Sequence, residues 1–195
     1  MMEHYGIFIE PKGVMKEYLQ QKKREVKKQF GWQSYVDHPA HSTLFCGRMT
    51  DEENWISILN NLQHPPLQIH CRSFRVFYND PQCNGTDTLT MAIEGEQLHN
   101  LQLQIAGCLK PYSEIAPMTF SDEAMQRSWN NYGFPFIGNH WIPHMTIASL
   151  DPEKCNAFMQ KTLKESIDFH FRCDEISVWK IDGEHHSKMK DVPLK

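Results

Sequence analysis

Two short runs in this chain carry residue types suited to phosphate ester chemistry: His41-Ser42-Thr43-Leu44 and His144-Met145-Thr146-Ile147. Each reads His-x-Thr-apolar, and they lie 103 positions apart. Both fall in stretches that read as strands, where successive side chains point to opposite faces. His41 therefore shares a face with Thr43, and His144 with Thr146. Opening a phosphodiester needs a base to activate an oxygen nucleophile and an acid to protonate the leaving oxygen. Imidazole titrates near neutrality, so one of two histidines can be neutral while the other is charged. Two such rings on opposite sides of phosphorus permit in-line displacement. Threonine hydroxyls and backbone N–H groups would donate to the charge that builds on the non-bridging oxygens. This chemistry requires no metal and no cofactor.

The bare pattern is a weak signal, because 11 His and 8 Thr give roughly 0.45 such runs by chance. The surroundings add weight. A proline lies just upstream each time (Pro39, Pro143), and a short apolar run follows each Thr. Downstream of each comes a polar break into a helix-like stretch. Asp51 opens one, and Asp151 with Pro152 at the first helical position opens the other. Strand-like runs then follow, Leu67–Arg72 and Ile167–Arg172, both ending His-x-Arg. The order strand, helix, strand thus occurs twice and reads as a diverged internal duplication.

These paired motifs resemble the two-histidine (2H) phosphoesterase superfamily, which includes 2′-5′ RNA ligase-type proteins and cyclic phosphodiesterases. The resemblance covers roughly residues 4 to 182. It implies an α+β, bilobal fold: two pseudo-symmetric lobes of antiparallel sheet with flanking helices around a central cleft. Residues 1–195 would form a single domain, with one repeat lobe motif near 41–78 and the second near 144–181. By the resemblance His41 and His144 are the catalytic pair, and Thr43 and Thr146 bind phosphate. The implied activity is a metal-independent phosphodiesterase on 2′,3′-cyclic phosphate or 2′-5′ phosphodiester bonds of nucleotides or RNA. Some members also ligate reversibly, and hydrolysis or ring opening is the reading taken here. The sequence does not say which histidine is acid and which is base.

Composition sets bounds on partners. With 195 residues, 40% of them hydrophobic and 23% charged, the chain has an ordinary globular balance. A net charge of −4 argues against coating long duplexes, which calls for a basic surface. A nucleotide or short RNA substrate suits it better. No Cys-x-x-Cys pair occurs among the six cysteines, and no basic-then-apolar leader or membrane span is visible. A cytoplasmic monomer with free thiols is expected.

The elements that must position the site follow from periodicity. Strands are expected at Tyr5–Ile9, His41–Phe45, Leu67–Tyr78, Thr88–Ile93 and Trp141–Ser149, and within 169–181. Helices are expected at Val14–Phe30, Asp51–Leu62, Glu96–Leu109 and Asp151–Glu165. The tail from Gly183 is polar and reads as mobile. The basic run Lys22–Lys28 reads as a solvated helix face, or more sharply as a lip attracting anionic substrate.

Some 30 residues between Pro111 and His140 show no clear period yet are rich in aromatics. Such a segment is expected to wall or cover the site and to supply a base-stacking surface, with Tyr132 and Phe136 as candidates. His38 and His140, which precede the motifs, are candidates to line the site. His70 and His170 are explained by the strand pattern, Trp141 reads as structural, and His185 and His186 fall in the polar tail. A metal site would need His and Cys at ligand spacing, and no run has it. The remaining alternative is a non-catalytic module that binds nucleotides or RNA ends in the same cleft.

Overall fold

The computed structural model describes residues 3–183 and 185–195. Met1, Met2 and Glu184, the last within the polar tail, lie outside the described residues. The apolar run Tyr5–Ile9 forms most of β1 (Glu3–Ile9), and the 3.6-residue periodicity that follows forms α1 (Gly13–Phe30). The first half continues through β2 (Ser42–Met49), α2 (Glu52–Asn60) and β3 (Leu67–Asp80). Then come β4 (Thr86–Glu94), α3 (Leu98–Leu109) and α4 (Glu123–Tyr132). The chain ends with β5 (His144–Leu150), α5 (Pro152–Thr162), β6 (Phe169–Cys173), β7 (Glu175–Asp182) and β8 (His185–Pro193).

The strands form two four-stranded sheets, ordered β2-β1-β7-β8 and β5-β4-β3-β6, and every ladder is antiparallel. Each motif strand, β2 or β5, is an edge, with β1 or β4 beside it. This is the α+β, two-lobed fold with flanking helices around a central cleft. Chain order matches as well: β1-α1-β2 in one lobe corresponds to β4-α3-β5 in the other. The downstream equivalence is different from the one the His-x-Arg repeat suggests. β6 lies beside β3 in the same sheet, with His70 opposite His170. The strand in β3's relative position is β7, third from the motif edge of the other sheet. His70 and His170 therefore face each other as cross-strand neighbours and are not counterparts.

Two further expectations change. The polar tail is a hydrogen-bonded edge strand, β8, paired with β7 from Glu175↔Pro193 to Asp182↔His185. Its alternation is hard to see because only one face is covered and charged residues occupy the other, as edge strands tend to do. The aperiodic aromatic segment contains a ten-residue helix, α4. The Asp122 carboxylate caps it by accepting from the N–H groups of Ala124 and Met125. Gly133 ends it at φ 68°, where a Cβ would meet the Glu114 carbonyl oxygen at 2.6 Å. Only glycine fits there.

The buried stripe of α1 is Met15, Leu19, Lys22, Lys23 and Val26. The basic run is therefore not a uniformly solvated face. Lys22 is held between Glu25 (3.1 Å) and Glu165 (2.6 Å), which ties α1 to the segment after α5. Val14, apolar and near the start of this helix, is exposed. Among the described residues, no helix is long and apolar enough to cross a membrane.

Gly6 in β1 lies under the ring of Phe8, two residues along the same face. A Cβ there would come within 2.2 Å of the ring tip. We expect Gly6→Ala to overpack this point and to cost about 1–3 kcal/mol, read as a lower midpoint in urea unfolding. An unchanged midpoint would show that the Phe8 ring is not confined.

Candidate active site

The two motifs come to the cleft through the same local device. In the first, His41 and Thr43 are half-buried while Ser42 and Leu44 are fully buried; in the second, His144 and Thr146 alternate in the same way with Met145 and Ile147. Each ladder slips by one residue just past the threonine. Ile7 pairs with Phe45 but Phe8 with Thr43, leaving Leu44 as the extra residue. Leu89 pairs with Ala148 but Thr90 with Thr146, leaving Ile147 extra. Such bulges bend the strand and re-aim the side chains next to them. Both extra residues are fully buried, so the bulges are anchored in the core.

Each imidazole is fixed by its own chain. His41 Nδ1 lies 2.8 Å from the Pro39 carbonyl oxygen, and His144 Nδ1 lies 2.6 Å from that of Ile142. A carbonyl only accepts, so each ring carries its proton on Nδ1 and leaves Nε2 for the ligand. Aromatic neighbours complete the orientation. The Phe8 ring stacks on His41 at 3.9 Å and 20°, and Phe77 meets His144 at 4.8 Å and 67°.

His41, Thr43, His144 and Thr146 all line one cavity of about 780 Å³. Its two ends differ electrically. Lys23 and His38 lie at the His41 end, and the ring of His186, from β8, lies 6.0 Å from His41 and 4.5 Å from His38. At the other end stands Asp80, its carboxylate held by the Thr88 hydroxyl (2.7 Å) and the Gln82 N–H (3.0 Å). Burial drives the His41 pKa down to about 3, the Pro39 carbonyl opposes this, and the charges of His186, Lys23 and His38 lower it further. Burial also lowers His144, but the Ile142 carbonyl and the Asp80 carboxylate both pull it back up, against Arg75. Cys46 lines the cavity too, but burial pushes its thiol up to about 12, which keeps it protonated and a poor nucleophile.

The other candidates divide. Phe136, His38 and His140 line the cavity, as does Trp141, which is also part of the core. Tyr132 does not line it; its ring lies under the Lys110 ammonium at 5.5 Å, away from the motifs. The aromatic segment thus contributes Met125, Phe134 and Phe136 to the wall. Sequence reading missed Phe8, Asp80, Tyr78 and His186. Tyr78 is 72% exposed on β3 at the cavity rim, where its large ring has no core role. Lys23 was grouped with its charged neighbours, yet it follows Met15 and Leu19 at the 3.6-residue period of the buried stripe, and that signal was available. Among the described residues, no group of three or more His, Cys, Asp or Glu side chains is placed to hold a metal.

Residues 16–185 match the model of the 2′-5′ RNA ligase superfamily. No curated protein matches the sequence. Among solved structures, the chain is similar to TT0787 of Thermus thermophilus, with 14% identity and a TM-score of 0.63, covering 98% of this chain and 97% of that one. It is similar also to Escherichia coli LigT (13% identity, TM-score 0.53, 99% and 98% covered). A third is Usb1 of Kluyveromyces marxianus (12% identity, TM-score 0.51, 98% of each chain covered). At these identities the likeness is one of fold.

Because burial lowers both rings, His41 and His144 are expected to be uncharged at neutral pH. Their ring-proton NMR resonances should titrate below pH 6.5, with His41 at about 3. Below pH 6.5 the unfolded chain binds more protons than the folded one, so these groups withdraw stability as pH falls. A site histidine titrating at or above 6.5 in the free protein would contradict this account.

Proposed function

The chain belongs to the 2′-5′ RNA ligase superfamily, and on that premise we propose that it is a metal-independent phosphodiesterase acting on 2′,3′-cyclic phosphate or 2′-5′ phosphodiester bonds of nucleotides or short RNA. The family supports phosphodiesterase-type chemistry on nucleotides or RNA in general. The observation that supports the sharper reading is the presence of two Nδ1-anchored imidazoles and two threonine hydroxyls on one cavity. LigT, which shares the fold, has been crystallised with NADP+, 3′-AMP, ATP and phosphate. In this reading the two lobes act as a single domain, and the reaction needs no cofactor.

The unequal ends of the cavity assign the roles. His41, which faces Lys23, His38 and His186, resists protonation and serves as the base. His144, beside Asp80, takes a proton more readily and serves as the acid. For a 2′,3′-cyclic phosphate, His41 Nε2 removes a proton from water as its oxygen attacks phosphorus. The bond from phosphorus to one ribose oxygen breaks, and His144 delivers its proton to that oxygen. The product is a nucleoside monophosphate; His41 then releases its proton to solvent and His144 takes one up, which restores the starting state. Thr43 and Thr146 donate to the non-bridging oxygens as charge grows there. An incoming phosphate anion raises the pKa of both rings, so proton uptake accompanies binding.

Turnover of 2′,3′-cyclic nucleotides in EDTA is expected in the wild type. Each of His41→Gln and His144→Gln should lose about 10²–10⁴-fold in kcat. The two variants should separate on a phosphodiester with a p-nitrophenolate leaving group, which departs without a proton. That substrate should restore much of the rate to His144→Gln and little to His41→Gln; the reverse pattern would exchange the roles. If the wild type is inert on both substrate classes yet binds 3′-AMP, the site is a binding module and not an enzyme. The pH profile of kcat/KM reports the pair as a whole. Its optimum is expected on the acid side of pH 6.5, because both rings are lowered in the free protein.

A further inference from the structure

One charged group in the cavity enters the chemistry above only through the effect of its charge on His41. Lys23 is only 5% exposed, yet it lines the cavity. A buried ammonium is costly unless its three N–H donors are satisfied. One donates to the Tyr35 carbonyl oxygen, and among the described residues no carboxylate lies within ion-pairing distance. The carboxylate next along, Asp37, is taken by Lys27 at 2.7 Å. Lys22, the neighbour on the same stripe, shows the contrast, since two carboxylates pair with it. Tyr35 itself sits at φ +70°, a backbone conformation rarely adopted by a bulky residue, and it too lines the cavity. Strain of this kind gathers where surrounding structure imposes it. Here it turns the Tyr35 carbonyl toward the amine and leaves the other donors for the cavity.

We propose that Lys23 forms a second anion subsite beside the one made by the two motifs, and that the substrate is a nucleotide carrying a second phosphate group. This rests on the nucleotide-binding reading above. That phosphate is either a 5′-phosphate or the neighbouring phosphodiester of an oligonucleotide. Three observations converge on it. Burial pulls the amine down to about 8, so it is still mostly charged at neutral pH but poorly solvated, the state in which an anionic partner gains most. In the reading above the motif threonines are already committed to the scissile phosphate, and they line the same cavity. The cavity, at about 780 Å³, has room beyond a single phosphate. The lobes are unequal here, because the His144 end carries Asp80 where the His41 end carries Lys23.

The test is equilibrium binding by calorimetry, which does not depend on turnover. 3′-AMP is compared with adenosine 3′,5′-bisphosphate and with a 3′-phosphorylated adenine dinucleotide, on wild type, Lys23→Gln and Lys23→Arg. At least one doubly phosphorylated ligand should bind the wild type about tenfold or more tightly than 3′-AMP, and which one gains identifies the source of the second phosphate. Lys23→Gln should remove that advantage and leave 3′-AMP affinity nearly unchanged, and Lys23→Arg should keep part of it. Equal affinity of all three ligands for the wild type would overturn the subsite without touching the nucleotide-binding reading. That comparison stands even if Lys23→Gln fails to fold. An equal loss for every ligand in Lys23→Gln would place Lys23 at the scissile phosphate and also overturn it. No binding of any ligand would overturn both readings.

Discussion

A hydrogen bond from each histidine to a carbonyl two residues back in its own chain governs what the site can be. It spends Nδ1–H, fixes the tautomer and leaves Nε2 uncommitted by that bond. Much of the local structure serves it. Pro143 restricts Ile142 to extended conformations, which sets the direction of the accepting carbonyl. The Pro143 carbonyl is itself taken by the Ile93 N–H at 3.2 Å. The other copy differs in detail, because Pro39 is itself the acceptor. In both, the ring is positioned by backbone at the start of a strand, where the sheet supplies rigidity that a loop would not.

The bulges make the threonines partners of those rings. A regular ladder would keep strict alternation along the edge strands. The extra residues, Leu44 and Ile147, let each strand bend immediately past its hydroxyl, and their burial keeps the bend in one place. Each motif stands on an edge of its sheet, so no further strand lies between it and the cleft. At the motifs the open edge, elsewhere a hazard, is in the proposed reading the place where a phosphate reaches the hydroxyl donors.

Much of this was legible in the residues. The two motifs, the strands that carry them and four of the five helices follow from period and from caps such as Asp151-Pro152. What escaped did so for physical reasons. β8 presents one covered face with only Val192 buried along it, so its alternation is faint, and its polar residues imitate a free tail. His186 became visible as a neighbour of His41 only once that strand was paired with β7. The equivalence of β3 with β7 was hidden because His-x-Arg recurs on β6, a coincidence that sheet order exposes and spacing does not. Tyr132 and Phe136 are close in sequence but separated by the end of α4 at Gly133, so one turns to Lys110 and the other to the cavity. Periodicity could not divide them, because the segment has none outside α4.

The asymmetry of the cavity is the part least derivable from a duplicated motif, and it matters most for direction. Two identical half-sites would leave acid and base interchangeable, and a bound ester could react in either orientation. Here Lys23 comes from α1 on the buried stripe, while the corresponding helix of the other lobe, α3, carries Gln102 on its buried face, bonded to the Phe136 carbonyl (2.7 Å). A charge at one end and an amide holding the wall at the other give the cleft a polarity that the two His-x-Thr runs lack. Asp80 strengthens it by placing negative charge next to His144 alone. In the proposed mechanism the duplication supplies the chemistry in two copies, and the residues outside the motifs decide which copy gives up the proton.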